Sequence, residues 1–162
     1  MRIVKRVEIE GQETTALFDT GALHTYVVKS LLKDIPLRQV LEPYRVALGG
    51  KRIEVKQYCS VNGKIEGLGF HTAAIPVDEI GKINGQTINV LIGALTMEEW
   101  EIIPNPKDGT LDLSGLKRRE FTEFFEKEKV IARQKGLTKE VAIITLPSAF
   151  CPPKGKMYHC KI

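Results

Sequence analysis

The chain has 162 residues, 43% of them hydrophobic and 27% charged, which suits one domain with a core of its own and excludes disorder throughout. No apolar run approaches the roughly twenty residues of a membrane-spanning helix. Met1-Arg2-Ile3-Val4-Lys5-Arg6 lacks a secretory apolar core, so a soluble cytoplasmic protein without a membrane partner is expected.

The first hundred or so residues read as β-rich. Val4–Ile9 and Thr14–Phe18 are strand candidates separated by a turn at Gly11-Gln12. Thr25–Leu32 mixes strand-like and helix-like spacing and is ended by Pro36. Tyr44–Leu48 and Lys51–Lys56 flank Gly49-Gly50, a two-residue hairpin signal because both glycines tolerate positive φ. Further strands are expected at Tyr58–Val61, Gly69–Pro76 and Ile88–Ile92. Ala94–Trp100 contains helix formers and no breaker, and Pro104 and Pro106 stop it. A turn at Lys107–Thr110 leads into a short strand at Leu111–Leu113.

The character then changes, which predicts a domain over residues 1–113 and an extension over 114–162. Residues 1–112 carry 13 basic against 15 acidic side chains, and residues 113–162 carry 11 against 5. From Lys117 to Lys135, apolar Phe121, Phe124, Phe125, Val130 and Ile131 recur at spacings of three and four, and Gly136 follows, predicting an amphipathic helix with a C-cap. Acids interleave with the bases there, which suits a solvated face and argues against a nucleic-acid partner. Val141–Leu146 reads as a strand closed by Pro147, and the rest as loop.

Cys59, Cys151 and Cys160 form no even framework, which favours a reducing compartment. Cys151, His159 and Cys160 lack a usual zinc spacing and a fourth ligand, so they read as loop and terminal residues and not as a metal site.

The segment that carries chemistry is Ala16-Leu17-Phe18-Asp19-Thr20-Gly21-Ala22, an apolar strand delivering a carboxylate to a turn of small residues. Asp-Thr-Gly alone also describes ordinary turns. A phosphoryl-accepting aspartate would need a second acid two residues on, where Gly21 stands, and no glycine-rich strand-to-helix turn supports nucleotide binding.

The segment resembles the active-site motif of the retropepsin-like aspartic proteases, and two further elements follow in that family's order. Leu48-Gly49-Gly50, with Ile53–Tyr58 after it, resembles the flap hairpin. Val90-Leu91-Ile92-Gly93 resembles the element that packs beside the catalytic loop and precedes a short helix. Ala94 departs from the polar or charged residue many relatives carry, Pro76–Gln86 is longer than in compact viral enzymes, and the resemblance stops at about residue 113.

The resemblance implies a mainly β, closed barrel-like domain with one short helix. It implies a homodimer that cleaves peptide or protein substrates using water held between two Asp19 carboxyls, with no cofactor or metal because the pair activates water unaided. Thr20 would hydrogen-bond across the two-fold axis, Gly21 would permit close approach, and Ala22 would leave room for substrate. Leu48, Gly49 and Gly50 would cover the substrate, and Leu91, Ile92 and Gly93 would support the loop. A dimeric peptide-binding or scaffold module of the same fold, without catalysis, is the alternative. His24, close behind Asp19, reads as a structural or solvated histidine.

Overall fold

The first hairpin fixes the register around the Asp-Thr-Gly motif. In the computed structural model, which describes residues 2–119, β1 (Arg2–Ile9) and β2 (Gln12–Asp19) pair antiparallel about Glu10-Gly11. Both turn residues have positive φ, 49° and 75°, which matches the right-handed twist of the flanking strands. The turn thus falls one residue before the expected Gly11-Gln12 position. That shift matters, because strand register is set by the turn and here it places Arg2 opposite Asp19.

β3 (Thr25–Val28) runs into a 3₁₀ turn at Lys29–Leu31. β4 (Arg38–Leu48) and β5 (Lys51–Ile65) form a long hairpin about Gly49-Gly50, whose φ values are 57° and 80°. A register shift between Gln39 and Tyr44 accommodates Pro43, which has no N–H for a ladder bond. β6 (Leu68–Val77) pairs back on β5. The segment after β6 contains a small separate hairpin, β7 (Gly81–Ile83) and β8 (Gln86–Ile88). β9 (Val90–Ile92) is followed by the expected short helix, α1 (Ala94–Glu99). A final ribbon pairs β10 (Ile103–Asn105) with β11 (Thr110–Asp112).

The main sheet runs β1-β2-β9-β3-β6-β5-β4, and β5 also pairs with β1 through Glu8–Lys64 and Ile9–Gly63. Six strands therefore form a closed ring, and β4 extends from it as an arm bonded to β5. This is the mainly β, closed architecture with one short helix that the resemblance implied. Closure removes the exposed edges that an open sheet would present.

Strand alternation divides the apolar residues between two clusters. Phe18, Val27, Val61, Phe70, Ile92 and Trp100 belong to one, while Leu17, Tyr26, Leu48, Val55, Ile75 and Leu91 belong to the other. Each such side chain contributes about 1.5–3 kcal/mol through removal from water. Cys59 is buried in the first cluster, and burial pushes its thiol pKa up, making it a small apolar side chain. Leu113 and Leu116 are also buried there, so packing continues into the helical residues 114–119. The compact unit to which the described residues belong runs over Met1–Glu123. The helix expected to continue to Lys135, the strand Val141–Leu146, and Cys151, His159 and Cys160 lie outside the described residues.

Candidate active site

Asp19 is the last residue of β2, where an apolar strand meets a tight turn. The Ala22 amide donates to the Asp19 carbonyl at 3.1 Å, closing the turn, and the Gly21 amide donates to Asp19 Oδ1 at 3.0 Å. A Cβ on Gly21 would stand 3.3 Å from that same oxygen, so a side chain there would crowd the carboxylate. Arg2 Nε donates to Oδ2 at 3.0 Å. The Asp19 side chain is only 11% exposed and that of Arg2 is 71% exposed. Thr20 is exposed beside them at the tip of the turn.

β9 holds this turn from below. It pairs parallel to β2, with Leu91 opposite Leu17 and Ile92 opposite Phe18, and antiparallel to β3 on its other side. The chain beyond it is bonded to the turn through its backbone. Ala94 N–H donates to the Ala22 carbonyl at 2.8 Å, and Leu95 N–H donates to the Leu23 carbonyl at 3.2 Å. Gly93 makes this approach possible: a Cβ there would meet the His24 carbonyl oxygen at 2.3 Å. Leu91, Ile92 and Gly93 therefore lie directly beside the Asp19–Ala22 turn.

Sequence reasoning missed a set of buried threonines that ties these parts together. Thr96 Oγ1 lies 2.7 Å from both Thr25 Oγ1 and Thr72 Oγ1, and the Gly93 amide donates to Thr25 Oγ1 at 3.2 Å. Three elements, β3, β6 and α1, are thus cross-linked under the turn by buried hydroxyls that bond one another. Arg2 was missed as well, because its placement depends on the β1–β2 register.

Leu48, Gly49 and Gly50 sit at the end of the β4–β5 arm rather than in the turn itself. Leu48 is buried in the second cluster, against which Ala22 of the Asp19 turn also packs. Tyr44 of the arm and His24 are in tilted ring contact, with centroids 6.0 Å apart. An apolar layer and one aromatic contact therefore connect the arm to the region around Asp19. A cleft of about 520 Å³ between His71, Trp100 and Arg118 contains none of Asp19–Ala22 in its walls. Glu99 and Glu101 face Arg118 and Arg119 there, giving it no single charge character.

Among the described residues, no cluster of His, Cys, Asp or Glu could hold a metal ion, and no helix is long and apolar enough to cross a membrane. What the turn offers is an oriented carboxyl group in a nearly buried position. Such a group can exchange a proton with a bound water or a substrate oxygen.

The profile of the family described as aspartyl protease matches residues 5–95, more than half of the chain. The chain belongs to the aspartyl protease family. Asp19 and its turn, the β4–β5 arm and β9 all fall within the span of that family match. Among solved structures, the simian foamy virus (mac) protease is similar at 14% identity, covering 65% of this chain and 100% of that one with a TM-score of 0.41. The retroviral protease-like domain of Ddi1 from Leishmania major is similar at 15% identity, covering 70% of this chain and 89% of that one with a TM-score of 0.48. No curated protein sequence matches the chain.

Proposed function

We propose that this chain is one subunit of a homodimeric aspartic endopeptidase, in which Asp19 from each of two copies meets at a two-fold axis. The observation that carries this reading is the placement of Asp19, nearly buried at the end of β2 in an aspartyl protease family chain. The chain has one Asp-Thr-Gly, and the chemistry needs two carboxyls. A second copy supplies the other by symmetry. Two carboxyls about 3 Å apart share a single proton, which belongs to the pair. The ionised member takes a proton from water as that water attacks the peptide carbonyl, and the protonated member donates to the carbonyl oxygen.

In this reading Thr20 hydrogen-bonds across the axis, Gly21 admits the partner's backbone, and Ala22 leaves space for substrate. The β4–β5 arm is a flap whose tip, Leu48-Gly49-Gly50, closes over an extended peptide and excludes water. No cofactor takes part.

The test is peptide cleavage across pH together with molecular mass in solution. Cleavage should peak at mildly acidic pH in a sample that sediments as a dimer, and Asp19→Asn should lower it about a thousandfold. Full-rate cleavage by Asp19→Asn would end the proposal. One observation favours a second reading, a dimeric peptide-binding module without catalysis: Arg2 Nε pairs with Asp19 Oδ2, so one oxygen of the carboxyl already serves an ion pair within its own chain. Under that reading a peptide-mimicking inhibitor binds and no peptide is turned over at any pH.

A further inference from the structure

The segment following β6 is longer than the resemblance accounts for, and its position gives it a task. Asp78 accepts from Lys29 Nζ at 2.8 Å, which anchors the start of the segment to the body of the domain just after β3. The next residue, Glu79, accepts from Lys51 Nζ at 2.5 Å. Lys51 is the first residue of β5, directly beyond the hairpin turn. This pair raises the pKa of Lys51 and lowers that of Glu79, so each charge favours the other. Ile80 comes next, and its carbonyl oxygen lies 3.9 Å from where a Cβ on Gly49 would be, which puts the turn backbone within reach of the segment. Ile80 and Ile83 pack against the cluster in which Leu48 and Ile88 are buried. The segment therefore meets the tip of the arm through a charge pair and a backbone approach, and it packs on the apolar cluster in which the tip's Leu48 is buried.

The arm needs such support. β4 is bonded to β5 alone, and a two-stranded ribbon in water is marginally stable without a surface to pack on. We propose that residues 78–88 position the flap, with Ile80 and Glu79 as positioning residues that hold Leu48 and Lys51 down on their own protomer. The proposal rests on the reading of β4–β5 as the substrate-covering flap. Admitting a substrate then requires this contact to open, and retaining one requires it to re-form. The apolar part dominates, because both partners of the Lys51–Glu79 pair are largely exposed and salt screens them.

The experiment is amide hydrogen exchange of residues 46–53 in the full chain carrying Asp19→Asn, so that no catalysis is needed. Ile80→Ser should speed exchange at the tip about tenfold while amides of β2 and β9 keep their protection, and Ile80→Val should restore it. Glu79→Lys should speed it about threefold, and the exchanged pair Lys51→Glu with Glu79→Lys should reverse that. In the chain with Asp19 intact, Ile80→Ser should raise KM by a factor similar to the gain in exchange, with kcat changed less than about twofold. Tip exchange that is indifferent to Ile80→Ser and Glu79→Lys overturns the proposal. If Ile80→Ser loosens the whole domain, the charge exchange at 51 and 79 decides alone. A tip that loosens as stated in a protein that cleaves nothing leaves the positioning role standing and removes the protease reading instead.

Discussion

The floor beneath Asp19 and the arm beyond it are built from the same kind of strand and held in opposite ways. In the floor, β9 lies between β2 and β3, and the residues Val90, Leu91 and Ile92 are all buried. Backbone bonds from Ala94 and Leu95 zip the following chain to the Asp19 turn, and hydroxyls of Thr25, Thr72 and Thr96 lock it from below. In the arm, β4 is exposed along most of its length, Leu41 completely so, and one neighbouring strand supplies its ladder. The contrast separates precision from mobility. Under the proposed function, a carboxyl that faces its counterpart in a second copy needs surroundings that cannot rearrange cheaply. Under the same proposal, an arm that covers an extended peptide needs a few contacts of low total energy that can open.

A glycine on each side of this divide breaks the comparison open. Gly93 has φ −89°, which any residue adopts, so what it supplies is space: a Cβ would stand 2.3 Å from the His24 carbonyl oxygen and 2.5 Å from its carbon. Both are backbone atoms that cannot swing aside. Gly93→Ala should therefore destabilise the whole domain by about 3 kcal/mol. In urea the unfolding midpoint should fall with the slope unchanged. An unaltered midpoint would mean that the floor yields as easily as the arm.

Thr96→Val sharpens the same point with a smaller change. The substitution keeps the shape of the side chain and removes the hydroxyl that lies between Thr25 and Thr72. Thr25 Oγ1 still accepts from the Gly93 amide, so the chief loss falls on the two hydroxyl–hydroxyl bonds. A loss of about 2 kcal/mol in urea unfolding is expected, since buried hydroxyls are left without one partner each. Thr96→Ser keeps the bonding group and should recover most of that loss. Equal stability of Thr96→Val and the parent would show that the threonines merely fill space.

How far the sequence announces this structure depends on whether a feature is local. The Asp19 turn, the Gly49-Gly50 hairpin, the apolar run ending at Gly93 and the short helix after it are legible, because turn chemistry and burial write themselves into neighbouring residues. Gly63 misleads for a physical reason. The strand expected at Tyr58–Val61 stops short of it, yet β5 runs to Ile65 and Gly63 stays in the ladder because the Phe70 ring and Ile9 pack against its bare backbone. Asn89 interrupts Ile88–Ile92 into two strands, since its amide donates to the Thr15 carbonyl and its side chain to Thr14 Oγ1. Arg2 beside Asp19 follows from a turn at Glu10-Gly11, and a one-residue error in that turn hides it. The threonine set brings together positions 25, 72 and 96, and nothing in their local sequence marks them as neighbours.

Gly50→Ala tests the arm and should have the smallest effect. Gly50 has φ +80°, while a Cβ there would meet nothing within 4 Å, so the cost is backbone conformation with no clash. Placing an L side chain in that region costs about 1–2 kcal/mol, and the hairpin tip alone bears it. The arm can absorb part of this by opening, which the floor cannot do at Gly93. Amides near the turn should exchange about tenfold faster while those of β2, β3 and β9 keep their protection. The urea midpoint should move much less than in Gly93→Ala. Should the midpoint fall equally in both variants, the arm and the floor unfold as one unit, and an opening of the arm by itself would cost as much as unfolding the domain.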